Sequence, residues 1–473
     1  MFGCESTETR IENRTLDEIA IGDTAEITRA LTQQDIELFA VMSGDVNPAH
    51  LDPAYAESTP FHHVIAHGMW GGALISAVLG TRLPGPGTIW LDQSLRFRAP
   101  VALGDRLSVQ VTVTAVDRDS GRVRLDCRCS NQGGVSVIEG EAVVLAPREK
   151  VSRPAPALPA LRLHHPGARL AVLTERARRL PPLPTAVVHP CDRASLTGAM
   201  QAAEAGLIDP ILVGPRAKIL SVADEAGLPL DPALIEDAPH SHAAAEAAVA
   251  EVRAGRARAL MKGKLHTDEL LSAVLSRSSG LRTERRLSHV FTLDVPGHPR
   301  LLHITDAAIN IAPDLAALAD IVQNALDLVR ALGVKSPRAA LLSAVETVSD
   351  RLASTLLAAA ICKMHDRGQI SGGMVDGPLA FDNAISEAAA RGKGIRSPVA
   401  GQADILVAPN LESGNMIAKQ LIHLGGAEAA GLALGARVPI MLTSRADSAL
   451  TRVASAALAR LVAAHQTSDT ISV

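Results

Sequence analysis

HGMWGGALISAVLG, His67 to Gly80, is apolar on nearly every side, and its reading decides the first half of the fold. A helix of that kind has no solvent face and is buried all round. After Gly87 the period changes to two. Leu107, Val109, Val111 and Val113 alternate with Ser108, Gln110, Thr112 and Thr114, as a strand packed on one face requires. A DRDSG turn follows, and then Val123, Leu125, Cys127 and Cys129 alternate with Arg124, Asp126, Arg128 and Ser130. A third strand is expected over Val135 to Leu145, after the Gly133-Gly134 turn. One long buried helix beside consecutive antiparallel strands is an α+β plan.

Upstream, Thr32 to Met42 reads as a short amphipathic helix with Gln33 and Gln34 in its first turn. A polar, proline-broken loop follows at Ser43 to Pro53, and then a second short helix. The loop holds Asp45 and His50. On one helix these two would point about 140° apart, and Asn47-Pro48 argues against that helix because the residue before proline is pushed out of the αR region. A loop can fold a carboxylate and an imidazole into one cleft as a general acid/base pair. By itself the pair reads more often as an N-cap Asp with a surface His. The nearby start of the buried helix, His67-Gly68-Met69, favours the chemical reading, since its free N–H groups suit a developing enolate oxygen. His62, His63 and His67 cluster, but no acidic partner stands at ligand spacing, so no metal is expected. Cys127 and Cys129 are expected on the inward face of their strand.

A proline-rich stretch, PREKVSRPAPALPALRLHHPG from Pro147 to Gly167, separates two textures and suits an extended linker. Beyond it short apolar runs (TAVVHP, DPILVG, ARALMKG, LSHVFTL, RAALLSA, ADILVAPN, VPIMLTS) alternate with helical windows such as His242 to Ala254, Asp314 to Leu332 and Asp350 to Met364. That alternation predicts a mostly parallel sheet, and its length predicts two α/β subdomains. No GxxxxGK[ST] loop occurs, and no GxGxxG follows a strand. Turns bearing Gly, Ser and Arg stand instead at expected strand ends: Met261–Lys264, Gly280–Val290, Val375–Ser386, Ala408–Ala427 and Leu442–Ser448. In the last, Ser444-Arg445 places a hydroxyl beside a planar guanidinium, a pair able to meet an oxyanion and a phosphate. Alone, the dipeptide reads as an N-cap and a solvated Arg.

The composition of the 473 residues excludes several classes. Lys+Arg 46 against Asp+Glu 50 leaves a net charge of −4, without the footprint of nucleic acid or anionic membrane. Hydrophobic residues at 47% and charged residues at 20% make a globular chain of about three folding units at roughly 150 residues each. Aromatics at 2% leave little for base stacking. No basic, then apolar leader opens the chain, and no apolar run approaches the roughly 20 residues of a membrane span. Five dispersed cysteines without a CxxC pair fit reduced thiols and a cytoplasmic protein.

SGDVNPAHLDPAYA, HVIAHGM and SLRFRAPVALGDRL, in that order, resemble the MaoC-like (R)-specific enoyl-CoA hydratases. The resemblance implies a hotdog domain over 1–147, a helix wrapped by an antiparallel sheet. It also implies that Asp45 activates water for attack at C3 of a trans-2-enoyl thioester, that His50 assists proton transfer at C2, and that the Gly68 amide polarises the carbonyl. Members often carry Ser six residues after the His of HGM, where this chain has Ala73. DGPLAFDNA, SPVAGQADILVAPNLESGN, KQLIHLGGA and LTSRADS resemble the phosphate acetyl/butyryltransferases, the butyryl branch more than the acetyl. That implies a two-subdomain α/β fold over 168–473, behind a linker at 148–167. Its substrates would be an acyl-CoA thioester and inorganic phosphate, with no metal and no bound cofactor. Ser444 would stabilise the oxyanion, and Arg445 would bind phosphate or CoA. Acetyl-type members place an acidic base where this chain has Thr451, with Asp447 a nearby substitute. Both families form dimers, so a homodimer or higher homo-oligomer is expected. The fusion reads as a bifunctional acyl-CoA enzyme, and the alternative is a hydratase with a C-terminal acyl-CoA-binding or oligomerisation module.

Overall fold

The computed structural model describes residues 10–159, 161, 163–442 and 449–471. They divide into two compact units, with the boundary in sequence between Leu163 and His164. In the first unit β1 (Arg10–Glu12) and β2 (Thr24–Ala30) precede helices α1 (Gln33–Ser43), α2 (Pro48–Leu51), α3 (Pro53–Glu57) and α4 (Gly68–Thr81). Strands β3 (Ile89–Phe97), β4 (Arg106–Asp117), β5 (Arg122–Ser130), β6 (Ser136–Leu145) and β7 (Ser152–Pro154) follow. The main sheet runs β2-β4-β5-β6-β3 and is antiparallel throughout. Cys127 lies opposite Val111 and Gly140, so the alternation seen in the sequence becomes one continuous inner face. The apolar members of β4 and β5, Cys127 and Cys129 among them, are buried beneath α4. A Cβ on Gly71 of α4 would lie 2.4 Å from the Ile138 δ-methyl, so the helix backbone rests directly on β6.

Local chemistry explains the helix ends. Thr32 caps α1 by accepting from the Asp35 amide, and Asp35 answers with a bond to the Thr32 amide. Gly44 ends α1 in the left-handed region at φ 75°, which costs glycine nothing. The expectation that Ser43 to Pro53 is loop throughout is corrected here. Pro48 opens the single-turn helix α2, with Asn47 accepting from the Ala49 amide as its cap, because proline at the first helical position removes no needed N–H. His50 therefore rides on a helical turn while Asp45 stays ahead of it. The expected linker also starts later than Arg148. β7 pairs with β1, Lys150 reaches the Asn13 carbonyl and Glu18, and the Asn13 side chain bonds both Glu149 and Val151.

The second unit opens with α5 (Ala168–Arg178), β8 (Leu183–Val188), α6 (Arg193–Glu204), β9 (Ile208–Gly214), α7 (Arg216–Ala226), β10 (Ile235–Asp237), α8 (Ser241–Arg253), β11 (Ala259–Lys262) and α9 (Thr267–Val274). It continues through β12 (Ser288–Asp294), β13 (Leu302–Thr305), α10 (Leu315–Ala331), β14 (Arg338–Leu342), α11 (Ala353–Asp366), β15 (Met374–Leu379), α12 (Phe381–Ile385) and α13 (Glu387–Gly392). It closes with β16 (Ile405–Val407), α14 (Leu411–His423), β17 (Glu428–Leu434), β18 (Ile440–Met441) and α15 (Ala449–Ile471). The strands form one mixed sheet of 11, ordered β10-β9-β8-β11-β18-β17-β12-β13-β16-β14-β15. Two α/β lobes thus share a continuous sheet. One face carries a single apolar cluster from Leu183 to Val407, whereas the other carries two, one around Val188 and Ile440 and one around Leu293 and Leu406. Antiparallel pairs β18-β17, β17-β12 and β12-β13 join the lobes, so the parallel strands of one lobe run opposite to those of the other.

Candidate active sites

The first site is built on the entry to α4. Ile65 pairs with Ala102 in an isolated antiparallel bridge, and the Ala66 amide donates to the Val101 carbonyl at 2.9 Å, fixing the chain just before the helix. His50 Nδ1 is 2.9 Å from the Ile65 carbonyl. A carbonyl only accepts, so Nδ1 carries the proton and Nε2 keeps its lone pair. His67 Nε2 lies 3.0 Å from the Asp45 backbone carbonyl and is a donor for the same reason. The His50 and His67 rings stack with centroids 4.0 Å apart, and Phe39 of α1 covers His67 at 4.9 Å. Polar side-chain atoms of Asp45, His50 and His67 all lie within 4.8 Å of one another. Asp45 is exposed, and its Oδ1 accepts from the Asn47 amide at 3.2 Å.

A cavity of about 320 Å³ adjoins this cluster, lined by His50, Gly68 and apolar walls that include Phe61, Phe97, Val101 and Ile138. Gly68 is the first residue of α4, where the helix supplies no acceptor for its N–H. Asp45 and His50 thus stand in one cluster with His67, and His50 and Gly68 line one cavity, whose lining does not include Asp45. Ala73 is exposed on α4 and does not line the cavity. His62 and His63 join no ligand-like cluster among the described residues. Asp45, His50 and His67 are also close enough to share a metal ion, and each imidazole gives one nitrogen to a backbone carbonyl and keeps the other, with His67 Nδ1 enclosed without a partner. The sequence reading passed over His67 as a site residue and named none of the apolar walls; the pairing of His67 with Asp45 is not visible in the spacing.

Ser444, Arg445 and Asp447 lie outside the described residues. Their surroundings are described up to Leu442. β18 runs parallel to β11, with Ile440 beside Leu260 and Met441 beside Met261. β18 and β11 therefore end at the same carboxyl edge, where Lys262, Gly263 and Lys264 stand. β8 ends there too, with Val188 beside Lys262. Lys262 is buried, and His189 Nδ1 bonds the Lys264 carbonyl at 2.7 Å. Asp192 caps α6; burial works against its ionisation, but bonds from Ser195 and the charges of Lys264 and Arg452 hold its carboxyl below the ordinary value. Thr451 and Arg452 are buried on α15.

The turn at Met261–Lys264 thus stands at the edge where β18 ends. Val375–Ser386 and Ala408–Ala427 follow strands of the opposite direction, so they belong to the other edge. His289, which belongs to the apolar run LSHVFTL, is buried on β12, and burial pushes it down to about 4 against the pull of Asp306. Asp306 itself closes a tight turn, accepting from the amides of Ala308, Ile309 and Asn310.

Comparison with known proteins supplies the rest. A family model described as phosphate acetyl/butaryl transferase matches residues 240–460, and one described as MaoC like domain matches 19–126. A phosphate acetyltransferase of Rhizobium meliloti is 62% identical over 294 residues, which are 62% of this chain and 93% of that protein. The chain belongs to the phosphate acetyl/butyryl transferase family and carries a MaoC-like domain in front. A phosphate butyryltransferase of Clostridium acetobutylicum is 42% identical over 58% of this chain and 91% of that one. The acetyl-named relative of Rhizobium meliloti shares more residues with this chain than the butyryl-named one. The R-hydratase PhaJ1 of Pseudomonas aeruginosa, a solved structure, is 47% identical over 33% of this chain and 100% of that one, with a TM-score of 0.32. By family the acetyl/butyryl transferase half is a phosphate acyltransferase, and the MaoC-like half is an enoyl-CoA hydratase domain. No helix among the described residues is long and apolar enough to cross a membrane.

Proposed function

We propose that one chain performs both reactions: it hydrates trans-2-enoyl-CoA to 3-hydroxyacyl-CoA and exchanges CoA for phosphate on a short-chain acyl-CoA. The observation that carries the first half is that Asp45 stands within 4.8 Å of His50, which lines one apolar cavity together with Gly68. In this reading the acyl chain occupies the cavity and the thioester carbonyl accepts from the Gly68 amide. Asp45 takes a proton from water as the oxygen bonds C3, and the π pair moves through C2 toward the carbonyl as an enolate. The proton then passes by way of the His50 Nε2 lone pair to C2, which restores the thioester and leaves the enzyme unchanged. The (R) configuration comes from the family resemblance.

In the second half a phosphate oxygen attacks the thioester carbon and the C–S bond breaks. The thiolate leaves with a proton, and an acyl phosphate remains. Ser444 is read as the oxyanion donor, Arg445 as the phosphate or CoA cation, and Asp447 as the group nearest the departing thiol. The shared thioester chemistry is the reason for joining the two halves. A homo-oligomer in the cytoplasm belongs to the same proposal, with light scattering as its check on mass.

The test uses the whole chain. 2-Butenoyl-CoA should be hydrated, and acetyl-CoA or butyryl-CoA should release CoA only when phosphate or arsenate is supplied. Asp45→Asn should lose about 10²- to 10⁴-fold in hydration while CoA release is unchanged. Phosphate-independent CoA release defeats the second half, and unaltered hydration by the variant defeats the first.

A further inference from the structure

We infer that His67 is a positioning residue of the hydratase site, the tether that sets Asp45 against His50 and the Gly68 amide. This rests on the hydratase reading above. Gly44 to Val46 is exposed chain between two short helices. Its other hydrogen bonds stay within its own neighbourhood: the Gly44 amide to Ala40, the Asp45 amide to Ser43 Oγ, and Asp45 Oδ1 from the Asn47 amide. Among the described residues, the bond from His67 Nε2–H to the Asp45 carbonyl is the one that reaches beyond it. Without that bond the loop bearing the carboxylate is fastened only to itself.

His67 is well suited to the task. It is 3% exposed, held between Phe39 and His50, and serves as the N-cap position of α4. The neighbouring Ile65 carbonyl fixes His50, and the following Gly68 begins the helix. One short strap, Ile65 to Gly68, therefore registers the carboxylate, the imidazole and the carbonyl-binding amide against one another. The strap itself is pinned to Val101 and Ala102. His67 lines the cavity wall, but its Nδ1 is enclosed without a partner and its Nε2–H is spent on the Asp45 carbonyl, so it has no free proton to give the substrate. Its contribution passes through Asp45.

The test compares His67→Phe, which keeps the ring and removes the donor, with His67→Gln, whose amide nitrogen can stand where Nε2 stands. In the full chain, His67→Phe should lower kcat for 2-butenoyl-CoA hydration about 100-fold, the scale of a misplacement of roughly 1 Å. KM should stay within about twofold, and phosphate-dependent CoA release should be unchanged. His67→Gln should recover most of the loss. Amide exchange over Gly44 to Asn47 should quicken in the Phe variant and not in the Gln variant. Equal impairment of both variants, or wild-type kcat in His67→Phe, overturns the tether. Absence of hydration by the unsubstituted chain overturns the hydratase reading and this inference with it. Unchanged exchange in the Phe variant overturns the tether whatever the activity.

Discussion

Ile138→Ala tests whether the cavity beside His50 holds the acyl chain. Ile138 is 1% exposed, pairs with Phe97 and Cys129 across its strand, and forms part of the cavity wall. Truncation removes three carbons, worth about 2.4 kcal/mol at about 0.8 kcal/mol each. In a sealed core the void left behind raises such losses to about 2–5 kcal/mol. Here the vacated space joins a cavity of about 320 Å³ that already exists, so the void term is small. The expected cost is therefore about 2–3 kcal/mol. The same space can take two further methylenes of substrate, about 1.6 kcal/mol, which is roughly 15-fold in relative kcat/KM. Two measurements decide it: urea midpoints followed through hydration and CoA release separately, and kcat/KM for 2-butenoyl-CoA and 2-hexenoyl-CoA. Gly71→Ala should move the ratio the other way, because its new Cβ would press on the Ile138 δ-methyl. A loss of stability with no change in chain-length ratio for either variant would refute the assignment of the cavity.

His289 and His303 are pushed down to about 4 and about 3 by burial, Asp306 resisting in the first case. Both are neutral in the folded protein and protonate more readily once unfolded, near 6.5. Their contribution to stability is therefore complete above about pH 6.5 and falls as pH drops through about 4 and about 3. Thermal denaturation of the second unit should shift steadily lower from pH 7 to pH 5, and a flat profile there contradicts their burial. Thr32→Ala should cost about 1 kcal/mol in the first unit, since the side chain accepts from the Asp35 amide at the start of α1; a change under about 0.3 kcal/mol in the urea midpoint would deny the cap. Burial raises the thiols of Cys127 and Cys191 to about 11 and those of Cys129 and Cys362 to about 12. A disulfide reagent at pH 8 should titrate no more than one of the five cysteines rapidly in folded protein, and rapid reaction of two or more speaks against this packing.

Period-two patterning was enough to place β4, β5 and β6, because each has one buried face and one wet one. The buried helix was legible for the opposite reason, having no wet face at all. The turn at Pro48–Leu51 was missed because the rule for the residue before proline was extended to the proline itself, which can open a helix. The single sheet of the second half was beyond reach as well. Strand runs of three or four residues such as Ile405–Val407 and Leu302–Thr305 show no direction in sequence. The reversal at β17-β12-β13, which makes the two lobes antiparallel, depends on pairings far apart in the chain.

The same contrast governs the two sites. Asp45, His50, Ile65, His67 and Gly68 lie within one short span, so their order along the chain is already most of their geometry. What spacing could not show is which atom holds which: the His67 side chain to the Asp45 carbonyl, and the His50 side chain to the Ile65 carbonyl. These are side-chain-to-backbone bonds, and such bonds leave no periodic trace. In the second half the ends of β8, β11 and β18 come from three distant parts of the chain and meet at one edge through parallel pairing. No local motif can announce that. Lys262 illustrates the consequence. In the sequence it is one lysine of an MKGK turn, while in the fold it is buried at the edge where β8, β11 and β18 end. A charge held out of water needs anionic company. Which groups surround Lys262 is set by the pairing of β11 with β8 and β18, and no spacing along the chain shows it.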